Sequence, residues 1–133
     1  MNVAPTAAGA LLRSVGLQID RIAPDEVLAH LEATEEHHTP WSVVHDGLYA
    51  TVIESLATIG AVAAVQHLGQ IAVGVNNQTD FLRPHRLGRL DVRGMPIQQG
   101  RTLQLWLVEI SNADGKLVAR GQVRLFNQPG GTA

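Results

Sequence analysis

One stretch constrains this chain more than any other: His45 to His67, HDGLYATVIESLATIGAVAAVQH. Between Asp46 and His67 it holds a single charged residue, Glu54. The stretch is too long for one strand and contains no proline, so it predicts a helix despite several β-branched residues. At 1.5 Å per residue such a helix spans roughly 30 Å, the width of a small domain. A helix apolar on most sides is expected to be buried, with the rest of the chain wrapped around it. A membrane span is the competing reading. Glu54 at mid-length, with Thr51, Ser55 and Thr58 beside it, argues against a span, as does the lack of basic flanks. The question is why a buried helix keeps one carboxylate.

The remaining 110 residues have to supply what covers that helix. A chain of 133 residues is expected to form one domain with one core, residues 1–133, with 127–133 as a flexible tail. Its 45% hydrophobic and 17% charged content suits a soluble globular protein. The net charge of -2 gives no reason to expect nucleic acid or an anionic membrane as partner. Without cysteine neither disulfides nor thiolate metal sites can form. The start, MNVAPTAAGALL, lacks the basic opening and long apolar run of a signal peptide, so a cytoplasmic location is expected.

In chain order, Thr6 to Val15 has helical spacing and ends at Gly16. Leu17 to Ala23 alternates as a short strand, Pro24-Asp25 turns, and Glu26 to Ala33 is expected to return as its hairpin partner. Glu35 to Ser42, EEHHTPWS, reads as a solvated polar loop. Its His37 and His38, with His45, Glu35 and Glu36, lack the spacing of a metal site, and no metal is expected. After the helix the period becomes two. Ile71, Val73, Val75, Asn77, Thr79 and Phe81 are expected on one face of a long strand stopped by Pro84. Gly88 to Met95 is the next strand, followed by a turn or bulge at Pro96 to Gly100. Thr102 to Ile110 follows, with Leu103, Leu105 and Leu107 sharing a face. Asn112 to Gly115 is a hairpin turn, and Lys116 to Phe126 closes the set. The sum is an α+β chain: one long helix on a curved, mostly antiparallel sheet, two strands before it and four after.

This order, with VHDGLYATVIES opening the helix, resembles the hotdog-fold thioesterases. The branch it is most similar to is that of the phenylacetate-pathway, 4-hydroxybenzoyl-CoA and enterobactin-type acyl-CoA thioesterases. Their helix opens on a His-Gly-Gly turn, with a catalytic Glu or Asp nine residues after the histidine; His45 and Glu54 have that spacing. A hydroxyl residue one turn beyond the acid is usual, and Thr58 fills it. VGVNNQTDFLRP, QLWLVEI and LVARGQVRLFN resemble the family's later strands. The likeness runs over residues 40–127. Two positions depart from it. Asp46 stands where the first glycine of the turn belongs, and Thr39 stands where a Gln or Asn is common.

The resemblance implies an acyl-CoA thioesterase acting on an aromatic or medium-chain acyl group without a cofactor. It implies Glu54 as nucleophile or general base, Thr58 to position water or the carboxylate, and His45 to orient the loop. The Asp46 N–H, with Gly47 next, would hold the oxyanion at the helix N-terminus. The Asp46 carboxylate is expected to turn away and cap the helix. Thr39, Asn77, Arg83 and Arg86 are candidate contacts to substrate and coenzyme A. Arg89 and Arg101 join them as phosphate partners, because guanidinium pairs with phosphate bidentately, and Asp80 is expected to face one of these arginines. The family pairs into homodimers or homotetramers with sites between subunits. Two other functions stay open: a hydratase or dehydratase on acyl thioesters, and a non-catalytic acyl-CoA binding module.

Overall fold

The computed structural model describes residues 9–130. A short helix, α1 (Ala10–Val15), ends at Gly16, whose φ of 80° supplies the left-handed cap; Thr6 to Ala8 of the expected helix lie outside the described residues. Strands β1 (Gln18–Ala23) and β2 (Glu26–Ala33) form the expected hairpin. The long helix α2 runs Asp46–Val65, with a 3-10 turn, Gln66–Leu68, after it. Then come β3 (Gln70–Phe81), β4 (Gly88–Gln99), β5 (Leu103–Asn112) and β6 (Leu117–Pro129). The six strands make one sheet in the order β1-β2-β4-β5-β6-β3, every pair antiparallel. This is the hotdog arrangement, and β3, the strand that leaves the helix, lies at an edge.

Helix α2 is long and apolar enough to cross a membrane by length and composition. In the fold its apolarity is explained by the sheet. Leu48, Tyr49, Val52, Ile53, Leu56, Ala57, Gly60, Ala61 and Val65 recur at helical spacing and are buried, and all of these but Gly60 and Val65 share one core cluster with Val27, Leu31, Leu90, Val92, Val108, Val123 and Leu125 of the strands. Contact is close where Gly60 meets Trp106: a Cβ on Gly60 would lie 2.5 Å from the indole ring. Beside it Gln104, only 1% exposed, donates to Ala61 O at 3.0 Å and to Asn127 Oδ1 at 2.8 Å, and accepts from Trp106 Nε1 at 2.8 Å. Its polar atoms are thereby satisfied inside the core, as burial demands.

Several expectations are corrected. The face expected of β3 is broken by a bulge between Gly74 and Asn76. Before it Ala72 and Gly74 point to the helix; after it Asn77, Thr79 and Phe81 do. Ile71 and Val75 are exposed. One extra residue flips the parity of a strand. Leu103, Leu105 and Leu107 do share a face, but the outer one; Gln104, Trp106, Val108 and Ile110 take the core. Apolar residues on both faces left that parity undecided. Strand β4 continues through Pro96 by a bulge to Gln99. Residues 127–130 are not loose: Gln70 pairs with Pro129, and Gly130 N–H donates to Gly69 O. The loop before α2 is tied down. Thr34 and His37 form a reciprocal cap around a 3-10 turn, Glu35–His37, His37 Nε2 meets Val15 O at 2.8 Å, and the His38 ring meets Arg86 O.

Candidate active site

The site begins at the start of α2. His45 is the N-cap, and its Nδ1 accepts the Gly47 N–H at 2.8 Å. That acceptor role requires a neutral nitrogen there. A Cβ on Gly47 would stand 2.8 Å from the same Nδ1, so the glycine makes room for the cap. The expected cap by Asp46 is therefore corrected. Asp46 is already the first helical residue, past the position from which a side chain reaches the second or third amide. Its carboxylate is exposed and makes no hydrogen bond or ion pair among the described residues. Its backbone N–H likewise has no acceptor among them. With the positive end of a 20-residue helix behind it, this amide is suited to an anionic oxygen.

Two loops frame the helix start. Thr39 Oγ1 accepts from Trp41 N–H at 3.2 Å, and Thr39 N–H donates to Val43 O, so Thr39 shapes the turn that carries Trp41, 82% exposed. Ser42 there has a φ of 63°. The β3–β4 loop docks alongside through Val44 N–H to His85 O at 2.8 Å. Arg83 and Arg86, both exposed, belong to this same loop on either side of His85. Arg89 is instead ion-paired to Asp91 at 2.9 Å. Arg101 belongs to the β4–β5 turn, where its carbonyl accepts from Asn127, at the far end of the sheet. Asp80 lies in register with Arg120, not with any of the arginines expected to face it.

Glu54 sits on the seam between α2 and β3, partly exposed. Its Oε2 accepts from Thr58 Oγ1 at 3.1 Å, and that hydroxyl also meets Glu54 O at 2.9 Å. No basic side chain pairs with it among the described residues. Ser55 Oγ is turned to Thr51 O at 2.7 Å. On the strand side Asn77 Nδ2 donates to Ala50 O at 3.2 Å while its Oδ1 accepts from Thr79 Oγ1 at 2.6 Å; Asn77 clamps β3 to the helix one turn before the acid. Along the helix, Asp46 and Glu54 are about 12 Å apart at 1.5 Å per residue.

Two residues were not foreseen. Tyr49, 2% exposed, has a buried hydroxyl without a hydrogen-bond partner among the described residues; burial and then the Asp46 carboxylate push it up from 10.0 to about 12. Gly74 packs its bare backbone against the Glu54 carboxylate. A glycine within a strand pattern is the signal that could have found it, since such a position marks a bulge or a close approach.

Residues 42–119 match the Thioesterase superfamily. The chain is 41% identical to Rv1847 of Mycobacterium tuberculosis over 115 residues, covering 85% of this chain and 82% of that one. It is 31% identical to 1,4-dihydroxy-2-naphthoyl-CoA thioesterase 2 of Arabidopsis thaliana over 123 residues, covering 86% and 77%. The crystal structure of AziG from S. sahachiroi superposes with a TM-score of 0.88 at 38% identity, covering 92% of this chain and 98% of that one.

Proposed function

For a chain that belongs to the thioesterase superfamily and is a thioester hydrolase, we propose that the substrate is an acyl-CoA with an aromatic or medium-chain acyl group, and that Glu54 carries the reaction. The observation that carries this reading is the environment of Glu54: a helix carboxylate with no cationic partner among the described residues, one hydroxyl donor and partial access to solvent. A carboxylate kept for structure would be expected to hold a basic partner. The relative named for a naphthoyl-CoA substrate supports the aromatic acyl group, and the cytoplasmic location expected from the sequence suits such a substrate.

In this reading the thioester carbonyl accepts the Asp46 N–H at the helix start. Glu54, steadied by Thr58, either takes the proton of an attacking water or attacks the carbonyl itself. As a base, Glu54 takes the proton while the water oxygen bonds to the carbonyl carbon, the C–S bond breaks, and the proton passes to the departing thiolate of coenzyme A. As a nucleophile, it displaces the thiolate to form a mixed anhydride, which water then hydrolyses to the free acid and the restored carboxylate, the water's other proton going to the thiolate. Arg83 and Arg86, on the loop that docks beside the same helix end, take the phosphates. Asn77, already engaged with Ala50 and Thr79, holds the strand instead of the substrate.

One carbonyl cannot meet both Asp46 N–H and Glu54 of a single helix across about 12 Å. The proposed site is therefore shared. Two copies paired along the free edge of β3 would run their α2 helices antiparallel and bring the N-terminus of one toward Glu54 of the other. The minimum assembly is then a homodimer, and a homotetramer would be a pair of these. The test is thiol release from a panel of aromatic and aliphatic acyl-CoAs. Glu54→Gln should keep the fold and lose at least about a hundredfold in rate. Hydrolysis near the wild-type rate would remove Glu54 from the mechanism.

A further inference from the structure

Gly74 is an ordinary strand residue by its backbone: its φ is not among the positive values found at Gly9, Gly16, Gly69, Gly88 and Gly115. Alanine would satisfy the same dihedrals, and a glycine in mid-strand weakens the strand it interrupts. What excludes a side chain is one neighbour. A Cβ at Gly74 would lie 2.6 Å from Glu54 Oε2, and 3.4 Å from both its Cδ and its Oε1. No other heavy atom comes close enough to be among its three nearest contacts.

The chain is built around that contact. The bulge between Gly74 and Asn76 changes the parity of β3 immediately after the glycine. Gly74 therefore faces the helix on one side of the bulge, and Asn77 faces it on the other, with its amide on Ala50 O. An unbroken strand would have presented Asn76 and Gln78 to the helix and sent Asn77 outward. The carboxylate rests on bare backbone, held from its own helix by Thr58 Oγ1, while the Asn77 clamp fixes the distance between the two elements.

We infer that Gly74, with the bulge that follows it, is a positioning device for the Glu54 carboxylate in thioester hydrolysis. It is the floor that sets where the acid stands. The inference rests on the reading of Glu54 given above. A methyl group at position 74 would not disturb the fold, because the group in its way is the far end of a flexible side chain. It would drive that end back by about 0.8 Å, the difference between 2.6 Å and an ordinary contact of 3.4 Å. A misplacement of about 1 Å in a reacting group can cost on the order of a hundredfold in rate.

The experiment compares Gly74→Ala, Glu54→Gln and wild type by acyl-CoA hydrolysis, thermal unfolding and crystallography. Gly74→Ala is expected to lower kcat by about thirty- to a hundredfold with KM within about twofold, because groups that bind substrate are untouched. Its melting temperature should equal or exceed that of wild type, and its crystal structure should show the carboxylate displaced and β3 in place. A wild-type kcat in Gly74→Ala, alongside an inactive Glu54→Gln, overturns the positioning role and leaves Glu54 standing. A structure in which β3 moves and the carboxylate does not overturns it as well. An active Glu54→Gln overturns the reading of Glu54 and this inference with it.

Discussion

Tyr49 is the chain's single tyrosine, and its hydroxyl is the one buried side-chain polar atom left without a partner among the described residues. An unsatisfied buried hydroxyl is a cost to the fold. With its pKa raised to about 12, the unfolded chain releases this proton near pH 10 and the folded chain near pH 12. The stability that depends on it is fully present below pH 10 and is lost as pH rises toward 12, by up to roughly 3 kcal/mol. A phenolate absorbance titration of the folded protein should have its midpoint near 12; a midpoint at 10 would sink the account. Tyr49→Phe should be at least as stable as wild type at neutral pH by denaturant unfolding, and should lose this component of alkaline sensitivity. At the same scale Glu54 was legible as the lone charge of an apolar stretch. That no arginine pairs with it among the described residues was not, because which arginines lie near is a matter of strand register.

Helix α2 was legible from length and composition, and its start was legible from the His-x-Gly turn. The group that caps it was not: His45 takes the role expected of Asp46 because the N-cap precedes the first helical residue. Seating of the helix on the sheet depends on Gly60. A methyl there would fall 2.5 Å from two atoms of the Trp106 ring and 3.0 Å from Val27, and Trp106 is held by its bond to Gln104. Gly60→Ala should therefore destabilise by about 1–3 kcal/mol, the usual cost of overpacking, although alanine is the better helix former. Chemical denaturation would measure it, and an unchanged or raised midpoint would show that the indole yields. Strand β3 was legible as a strand, but its bulge hid behind a convincing alternation. Val73, Val75, Asn77, Thr79 and Phe81 read as one face until the extra residue divides them.

At the scale of the whole molecule, β3 presents a 12-residue edge with Ile71 and Val75 exposed beside it. Long edges of this kind invite pairing. A homodimer or larger assembly is expected at micromolar concentration by light scattering. Val75→Lys, at the bulged and exposed position, should shift the protein toward monomer and lower hydrolysis in proportion. Full activity in a monomeric Val75→Lys protein would refute a site shared between copies. That outcome would require Glu54 and the helix N-terminus to work on one carbonyl within a single chain.

The amino-acid sequence by itself determined the elements and their order, because these follow from local periodicity: a 20-residue apolar helix, a hairpin before it, four alternating strands after it, and a single acid nine residues beyond a histidine turn. Tertiary structure alone decided which face of β3 and β5 meets the helix, which side chain caps α2, which loop docks beside its N-terminus, and what lies against Glu54. Each of these depends on register between distant segments. A strand's two faces are equivalent until a bulge or a buried partner such as Gln104 breaks the tie, and one residue of slip exchanges them.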